Sequence, residues 1–384
     1  MKIACKYAKY CGGCSLQHLS YDAQLKEKQK YIESLLSKLH KVNNIIGCEN
    51  NEHYRNKMQV SFGKDEKGRV IYGNYIPSTH VIVPFDECLI NDEEANSIIK
   101  TVKELIDKYH ISIFDENVYK GCIRHIQIRC TNTDEYMVII VTGSPVLYKK
   151  EFLIKDLIRK HPKIKTIVHN INSLHTSMVL GEKSYAIYGK GYIRDVLCGL
   201  KFNLSAPSFY QINKYQTEIL YNTAISLAEF KGNESVIDAY SGIGTISLCL
   251  ASKVREVTGV EINEQAVRDA IRNAKLNDIT NVRFIADDAG RFMEKLSRNR
   301  KVHIDALVMD PPRAGASDKF LKSVLKLGPE KIIYISCGPE SLKSNLGFLV
   351  KNGYLIKVIQ PVDMFPHTDI KHTENIVILV KKGV

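Results

Sequence analysis

The segment from Val236 to Ser247 constrains the fold of this chain more than any other stretch. It contains a short apolar strand, Val236-Ile237-Asp238, a turn with Gly242 and Gly244, and the start of an apolar helix. Glycine lets the backbone turn tightly and approach a ligand at a helix N-terminus. Apolar strands and helical stretches alternate after it, with strands at Val257–Val260, Val282–Ile285, Ala306–Met309, Lys331–Ile335, Tyr354–Ile359 and Ile376–Val380. This alternation predicts an α/β domain with a mostly parallel, doubly wound sheet over residues 206–384.

Acidic residues stand at the ends of several predicted strands. Asp238 precedes the glycine turn and Glu261 ends the next strand, while Asp288 and Asp310 follow later strands. Glu261 is placed to accept hydrogen bonds from two ribose hydroxyls. A dinucleotide is disfavoured, because Ser247 occupies the third glycine position of G-x-G-x-x-G and Asp238 would repel a pyrophosphate. The cationic sulfonium of S-adenosylmethionine would tolerate Asp238, so the pattern predicts that Gly242, Gly244 and the acids bind this cofactor.

A cysteine follows the strand Lys331–Ile335 at the same carboxyl edge. Cys337 lies in Ser336-Cys337-Gly338-Pro339, and a neighbouring strand ends in Asp310-Pro311-Pro312-Arg313. A cysteine there can be reactive, although a small buried residue in a tight turn is the alternative. C5 of uracil becomes nucleophilic when a thiolate adds to C6, and Cys337 is placed for that addition. Cys249, inside an apolar helix, is predicted to belong to the core.

This chemistry also needs a base, because the C5 proton must leave before the thiolate is eliminated. Glu374 directly precedes the strand Ile376–Val380, which returns it to the same region of the sheet. Glu374 is therefore the predicted base, with His372 and Asp363 as second choices. A solvated loop with capping carboxylates is the alternative interpretation.

Three cysteines, Cys5, Cys11 and Cys14, lie close together near the start of the chain. Cys88 is the predicted fourth ligand, and Cys122 and Cys130 are its rivals. Four thiolates bind either a [4Fe–4S] cluster or structural zinc, and the spacing leaves both open. Because no signal-peptide pattern is visible, we expect a cytoplasmic protein whose cysteines are thiols or ligands.

Residues 1–205 are predicted to form a separate α+β domain. Tyr21 to Leu39 predicts an amphipathic helix, for which the second domain is a candidate packing surface; its apolar stripe is Leu25, Tyr31, Ile32, Leu35, Leu36 and Leu39. Short β-rich runs dominate from Tyr54 to Leu204. The net charge of +12 divides into +8 for residues 1–205 and +4 for residues 206–384, which favours a polyanionic partner such as RNA. No apolar run approaches the roughly 18 residues of a membrane helix.

Together these segments resemble the bacterial and archaeal RNA 5-methyluridine methyltransferases, which modify 23S ribosomal RNA or transfer RNA. The resemblance covers nearly the whole chain, including Cys-x5-Cys-Gly-Gly-Cys, Ser208-Phe209-Tyr210-Gln211-Ile212-Asn213, Ser-Cys-x-Pro and His-x-Glu. It implies a Rossmann-like S-adenosylmethionine-dependent methyltransferase domain after an iron–sulfur domain. We expect a monomer that binds RNA and no membrane.

The resemblance implies roles for individual residues. A [4Fe–4S] cluster would be held by Cys5, Cys11, Cys14 and Cys88. Cys337 would be the nucleophile, Glu374 the base, and Phe209 would lie near the flipped uracil. The implied cofactor positions are Gln211, Tyr240, Thr245, Glu261, Asp288 and Asp310, and Asp310 would also position the uracil.

A uridine in folded RNA must be extruded from its stack before it can be methylated. The basic residues predicted to anchor the flanking phosphates are Arg55, Lys57, Arg124, His125 and Arg129. Gly338 stands where family members usually have Asn. Since only four residues precede Cys5, we expect no β-barrel before the cysteines, which leaves the RNA grip to the first domain.

Two other functions fit parts of the pattern. An RNA 5-methylcytidine methyltransferase would be expected to carry a cysteine within residues 310–313, where none is found. A non-catalytic iron–sulfur RNA-binding protein is disfavoured by the presence of Cys337 and Glu374 beside the cofactor acids. The pattern does not decide between ribosomal and transfer RNA.

Overall fold

The computed structural model describes residues 5–299 and 302–383. Its helices are α1 (Ala8–Cys11), α2 (Tyr21–Leu36), α3 (Glu93–Tyr109), α4 (Lys150–Lys160), α5 (Gln216–Ala228), α6 (Thr245–Ala251), α7 (Glu264–Leu276), α8 (Ala289–Ser297), α9 (Asp318–Leu327) and α10 (Pro339–Lys351). Its strands are β1 (Lys57–Lys64), β2 (Val70–Tyr75), β3 (Ile82–Pro84), β4 (Ile123–Cys130), β5 (Tyr136–Thr142), β6 (Ile164–Ile171), β7 (Lys183–Gly189), β8 (Tyr192–Leu197), β9 (Leu200–Ser205), β10 (Ser235–Ala239), β11 (Glu256–Glu261), β12 (Val282–Ala286), β13 (Ala306–Met309), β14 (Lys331–Ser336), β15 (Tyr354–Val362) and β16 (Glu374–Lys381). Within the described residues, no helix is both long and apolar enough to cross a bilayer.

The first sheet has the order β3-β2-β1-β4-β5-β6-β7. All its neighbours pair antiparallel except β5 and β6, which are joined by the crossover helix α4. β5 is buried along its whole length, because both faces of the sheet are covered. Val138 and Ile140 pack in one apolar cluster with α3 and α4, while Met137 and Ile139 face the other cluster, which contains the β8–β9 hairpin.

The second sheet has the order β12-β11-β10-β13-β14-β16-β15. Strands β10 to β14 are parallel, and β16 runs antiparallel to both neighbours. Helices α5, α6 and α7 contribute to the apolar cluster on one face, and α2, α8, α9 and α10 to that on the other. This confirms the predicted mostly parallel, doubly wound domain. The strand order reverses at β10, since β11 and β12 lie on one side of it and β13 and β14 on the other, so a crevice forms at the carboxyl ends of these strands.

Helix α2 is shorter than predicted and buries a different stripe. The Ser20 hydroxyl accepts a hydrogen bond from Ala23 N at 3.3 Å and caps its start, and it ends at Leu36. Its buried residues are Gln24, Lys28, Ile32 and Leu36, spaced every fourth residue. The helix packs against α10 and joins the apolar cluster of the second sheet. Two polar side chains therefore lie inside the contact where the sequence predicted an apolar stripe.

The β8–β9 hairpin connects the two sheets through its packing. Ile193 and Phe202 belong to one apolar cluster with Val168 of the first sheet and Ala224 of α5. The Asn203 backbone N–H also donates a hydrogen bond to Asn273 Oδ1 of α7 at 2.8 Å. The first sheet is consequently held against helices α5 and α7, which cover one face of the second sheet.

Candidate active site

The glycine turn after β10 has a left-handed backbone at three positions. Tyr240, Gly242 and Gly244 have φ values of 70°, 56° and 83°, in the left-handed region. A Cβ at Gly244 would lie 2.7 Å from the Phe284 ring, so only glycine fits there. Helix α6 begins at Thr245, whose hydroxyl lies 3.3 Å from Tyr221 Oη.

Three acids surround this turn. Glu261 accepts hydrogen bonds from Gly242 N at 3.1 Å and Asn263 N at 2.8 Å, and Asp288 caps α8 by accepting from Arg291 N at 2.8 Å. Asp238 lies buried behind the turn and accepts from the Ser247 hydroxyl at 2.5 Å. Its other oxygen has no hydrogen-bond partner in the described part of the chain. Burial raises the pKa of Asp238 to about 7.

A cavity of about 540 Å³ brings most of the predicted site residues together. Those that line it are Phe209, Gln211, Tyr240, Gly242, Glu261, Asp288, Asp310, Cys337 and Glu374. Its volume lies within the roughly 300–1,000 Å³ range of small-ligand sites. Gly244 and Thr245 are not among the lining residues; they form the turn and the helix start that support the wall.

The reactive end of the cavity holds a thiol between two carboxyl groups. Burial, followed by the charges of Glu374 and Asp310, raises the pKa of Cys337 to about 11, and a hydrogen bond from Arg313 opposes that rise. Glu374 is 2% exposed, and its Oε2 has no hydrogen-bond partner among the described residues. Burial and then Asp310 raise the pKa of Glu374 well above its usual range. Burial and then Asp238 raise the pKa of Asp310 to about 7.

The loop from Ser208 to Asn213 is held by the first sheet. Gln211 Nε2 donates to Asp310 Oδ2 at 3.5 Å, while Asn56 Nδ2 donates to Gln211 O at 2.9 Å. Arg129 donates from its guanidinium to Ser208 O. Phe209 is 67% exposed at the cavity wall, where its ring is free to contact a substrate base. The first sheet therefore positions one side of the active site.

Three of the predicted phosphate-binding residues are buried, and that prediction is wrong for them. Arg124, His125 and Arg129 are 4–5% exposed. Arg124 donates to the carbonyl oxygens of Asn172 and Leu174 and pairs with Glu116. His125 shares a hydrogen bond with Ser61, and burial lowers its pKa to about 3, so it is neutral. β4 contains both basic and apolar residues, but both of its faces are covered, so none of its basic side chains reaches the surface.

Arg55 and Lys57, the other two predicted phosphate-binding residues, are half-buried. The Arg55 side chain donates to Lys57 O at 2.9 Å. Burial, and then the charges of Arg129 and Arg55, lower the pKa of Lys57 to about 8. Both stay candidates for RNA contact.

The second-choice bases have other contacts. Asp363 is fully buried in an ion pair with Lys28 at 2.6 Å and accepts a hydrogen bond from Tyr21 Oη at 3.0 Å. His372 lines a neighbouring cavity, and burial lowers its pKa. Of the three predicted bases, Glu374 is therefore the one that lines the cavity containing both Cys337 and the cofactor turn.

The four predicted ligand cysteines are free thiols near one another. Burial, then Cys88, Cys11 and Cys5, raise the pKa of Cys14 to about 12. Asn74 Nδ2 donates to Cys11 Sγ at 3.2 Å, and backbone N–H groups of Ile90 and Asn91 donate to Cys88. Cys122 and Cys130 lie buried in the apolar cluster of the first sheet.

Among the lining residues to which sequence reasoning gave no role are Arg313 and Phe365. Arg313 stands in the Asp310–Arg313 segment that the sequence already marked as a strand end, so its position was the available signal. Phe365 had no such signal, because its place depends on how the loop before β16 folds.

The sheet order, the left-handed turn and the acids at the strand ends define an S-adenosylmethionine-dependent methyltransferase. The family model for tRNA (uracil-5-)-methyltransferase matches residues 20–382. An uncharacterized RNA methyltransferase of Halalkalibacterium halodurans is 42% identical over 389 residues, covering 100% of this chain and 84% of the relative. One of Clostridium tetani is 41% identical over 384 residues, covering 99% and 83%.

Among solved structures, the chain is similar to the tRNA (uracil-54, C5)-methyltransferase of Pyrococcus abyssi in complex with S-adenosyl-L-homocysteine. The TM-score is 0.79 at 28% identity, over 96% of this chain and 85% of that one. The chain belongs to the tRNA (uracil-5-)-methyltransferase family and is an S-adenosylmethionine-dependent RNA uracil-C5 methyltransferase. The enzyme class predicted from the sequence is confirmed, and the 5-methylcytidine and non-catalytic alternatives are not supported.

Proposed function

We propose that this enzyme methylates C5 of one specific uridine in 23S ribosomal RNA through a covalent bond between Cys337 and C6. The strongest support is that Cys337, Glu374 and Asp310 all line the cavity that also contains the cofactor turn. Transfer RNA is the second candidate substrate, favoured by the likeness to the Pyrococcus abyssi enzyme.

The thiol starts the reaction. Because its pKa is raised to about 11, Cys337 is protonated at neutral pH and must lose its proton as it attacks. That proton passes to solvent, so Glu374 stays ionised; the Sγ–C6 bond forms, and the electron pair moves through C5 toward the uracil O4. The Arg313 guanidinium stabilises the developing thiolate, since its hydrogen bond lowers the pKa of Cys337.

Glu374 and Asp310 have different roles, because one accepts a proton and the other donates a hydrogen bond. Their charges repel across a buried site, so the pair retains a proton near neutral pH. A protonated Asp310, held by Gln211, donates a hydrogen bond to the uracil. Once C5 carries the methyl group, Glu374 accepts the C5 proton and the Sγ–C6 bond breaks. The released thiolate then takes that proton from Glu374 to regenerate the thiol.

The cofactor residues proposed here are Gln211, Tyr240, Gly242, Gly244, Thr245, Glu261, Asp288 and Asp310. The ribose would bind at Glu261, which already accepts two backbone hydrogen bonds. The unpartnered oxygen of buried Asp238 leaves uncompensated negative character behind the turn, which suits a cationic donor. When bound, this cofactor would supply the methyl group to C5.

Cys5, Cys11, Cys14 and Cys88 are proposed to hold a [4Fe–4S] cluster. Four thiols with N–H donors directed at their sulfurs are the donor set such a cluster uses. The resemblance of the Cys-x5-Cys-Gly-Gly-Cys segment to that of the family favours the cluster over a single zinc ion, and the cluster would brace the cysteine loop.

Methyl transfer to defined RNAs tests the proposed function. Purified enzyme with labelled cofactor should methylate uridine in unmodified 23S ribosomal RNA, and Cys337→Ala should lower the rate by at least about 10⁴-fold. Cys198→Ala, at a half-buried cysteine outside the cavity, is the matched control and should retain activity. RNA with 5-fluorouridine at the target should form a denaturant-resistant complex with the wild type alone. Unchanged transfer by Cys337→Ala would refute the mechanism.

Metal analysis tests the cluster separately. Anaerobically purified protein should be brown and contain about four iron atoms per chain. Cys88→Ser should lose most of the iron, whereas Cys198→Ser should keep it. A colourless protein with one zinc ion would contradict the assignment and leave the methylation proposal standing.

A further inference from the structure

A second cavity, of about 350 Å³, shares Arg313 and Cys337 with the catalytic cavity. Its other walls come from the cysteine loop around Gly13, from the start of α10 and from residues 369–372. Segments near the two ends of the chain therefore meet beside the nucleophile. Nothing in the methylation chemistry described above uses this space.

The cysteine loop keeps this cavity open through Gly13. A Cβ added at Gly13 would have Cys11 Sγ, at 3.5 Å, as its one neighbour within 4 Å apart from the adjacent residues, and its backbone is not left-handed. A side chain at Gly13 would be tolerated by the fold but would occupy cavity space. Gly12 differs, because its φ is 67° and an added Cβ would lie 2.6 Å from Pro77.

The position of the cofactor residues restricts the path of the RNA. Tyr240, Glu261 and Asp288 line the catalytic cavity, whereas none of these three lines the second one. The target uracil must lie against Cys337 Sγ for its C6 to be attacked. Its ribose and phosphate must then continue away from the cofactor residues, and the second cavity adjoins the same sulfur.

The walls offer groups that bind a nucleotide. The Lys371 side chain is 62% exposed, and its ion-pair partner Glu340 is 3.9 Å away and also accepts a hydrogen bond from Tyr31. Glu340 and Asp369 also line this cavity, but neither is in close contact with the exposed Lys371 ammonium, which together with Arg313 can meet a phosphate. The His372 ring packs edge-on against Phe365 at 6.2 Å, and imidazole faces stack on unpaired RNA bases. The volume fits one nucleotide rather than a duplex.

We infer that this second cavity binds the nucleotide adjacent to the target uridine in the same RNA strand, with its phosphate near Lys371 and Arg313 and its base against His372. The inference rests on the proposed function. It makes the cysteine loop part of the substrate-recognition surface and gives the enzyme a second position at which to read sequence.

An abasic-substitution experiment tests this inference. The probe is a short RNA stem-loop containing the uridine that the wild-type enzyme methylates, made intact or with an abasic residue on either side of the target. On intact RNA, Gly13→Leu and His372→Ala should each lower kcat/KM by about tenfold, the value of one stacked base. On the RNA that lacks the correct neighbouring base, wild type and variants should differ by less than about twofold.

The controls separate this inference from the proposed function. Lys326→Ala, at an exposed lysine of α9 outside the cavity, should match the wild type on every RNA. Iron content and cofactor affinity of Gly13→Leu should equal those of the wild type. Equal losses on intact and abasic RNAs, or no loss on intact RNA, would overturn the inference while wild-type transfer still supports the proposed function. Absence of transfer by the wild type to any RNA would instead overturn the proposed function.

Discussion

At the residue scale, the buried arginines of the first sheet hold neighbouring loops in place, and one of these loops belongs to the active site. Arg129 donates to Ser208 O and so fixes the start of the loop that presents Gln211. Arg124 likewise donates hydrogen bonds to two backbone carbonyl oxygens, those of Asn172 and Leu174. A guanidinium offers five donors in a fixed plane, which suits the bridging of separate backbone segments.

Replacement of Arg129 should separate this structural role from phosphate binding. We expect Arg129→Met to lower kcat/KM by about tenfold, because Gln211 loses support for its loop. The slope of log affinity against log salt for RNA should stay unchanged, whereas loss of a phosphate contact would reduce it by about 1. Filter binding at several salt concentrations measures the slope, and a reduced slope would show that Arg129 contacts RNA after all.

The acids beneath the cofactor turn predict a pH dependence of cofactor affinity. The pKa values of Asp238 and Asp310 are raised to about 7, so both gain negative charge as pH rises through neutrality. A cationic donor should therefore bind several-fold more tightly at pH 8 than at pH 6. Calorimetric titration measures this trend, and Asp238→Asn should flatten it. An unchanged trend in that variant would exclude Asp238 as its source.

At the scale of elements, side chains of α2 hold the loop that precedes Glu374 in place through hydrogen bonds. We call this set of contacts the α2 clamp. Lys28 Nζ donates to Asp363 Oδ1 at 2.6 Å and to Phe365 O at 2.8 Å. Gln24 Oε1 accepts from His367 N at 2.9 Å. The helix thereby sets the path of residues 363–368, one of which, Phe365, lines the catalytic cavity.

Breaking this clamp should cost stability. Lys28→Met leaves Asp363 buried without its cation, so we expect a loss of about 3–5 kcal/mol in the free energy of unfolding. The double variant Lys28→Met/Asp363→Leu should lose less than the single one, because no uncompensated charge remains. Urea denaturation at pH 7 measures both. A loss below about 1 kcal/mol for Lys28→Met would contradict the clamp.

At the scale of the whole molecule, the active site lies where two sheets meet. The second sheet supplies the turn, the thiol and the acids, while the first supplies the support for Gln211 and, through the cysteine loop, a wall of the second cavity. Neither sheet contains the complete site.

The net charge of +12 predicts that the affinity for RNA depends strongly on salt concentration. If six phosphates are contacted, the affinity should fall by about 10³-fold between 50 mM and 200 mM salt. Filter binding of the substrate stem-loop over that range measures the fall. A change of less than about tenfold would indicate recognition dominated by uncharged contacts.

Much of the catalytic half was predictable from the sequence. Strand and helix periodicity is local, and parallel strands bring their carboxyl ends to one edge. The positions of Asp238, Glu261, Asp310 and Cys337 at strand ends therefore predicted a shared crevice before any contact was known. Glu374 followed from the same reasoning, because it directly precedes β16.

Only the tertiary structure decided which polar groups are exposed. Arg129 and Lys57 both lie in basic, β-rich segments, yet Arg129 is buried while Lys57 stays partly exposed. Asp363 and Glu374 are both buried acids, but Asp363 is paired with Lys28, 335 residues away in sequence, while one Glu374 oxygen lacks a partner within the described chain. Local sequence determines an element and its edge, whereas burial and pairing arise from contacts between distant segments, which no local pattern contains.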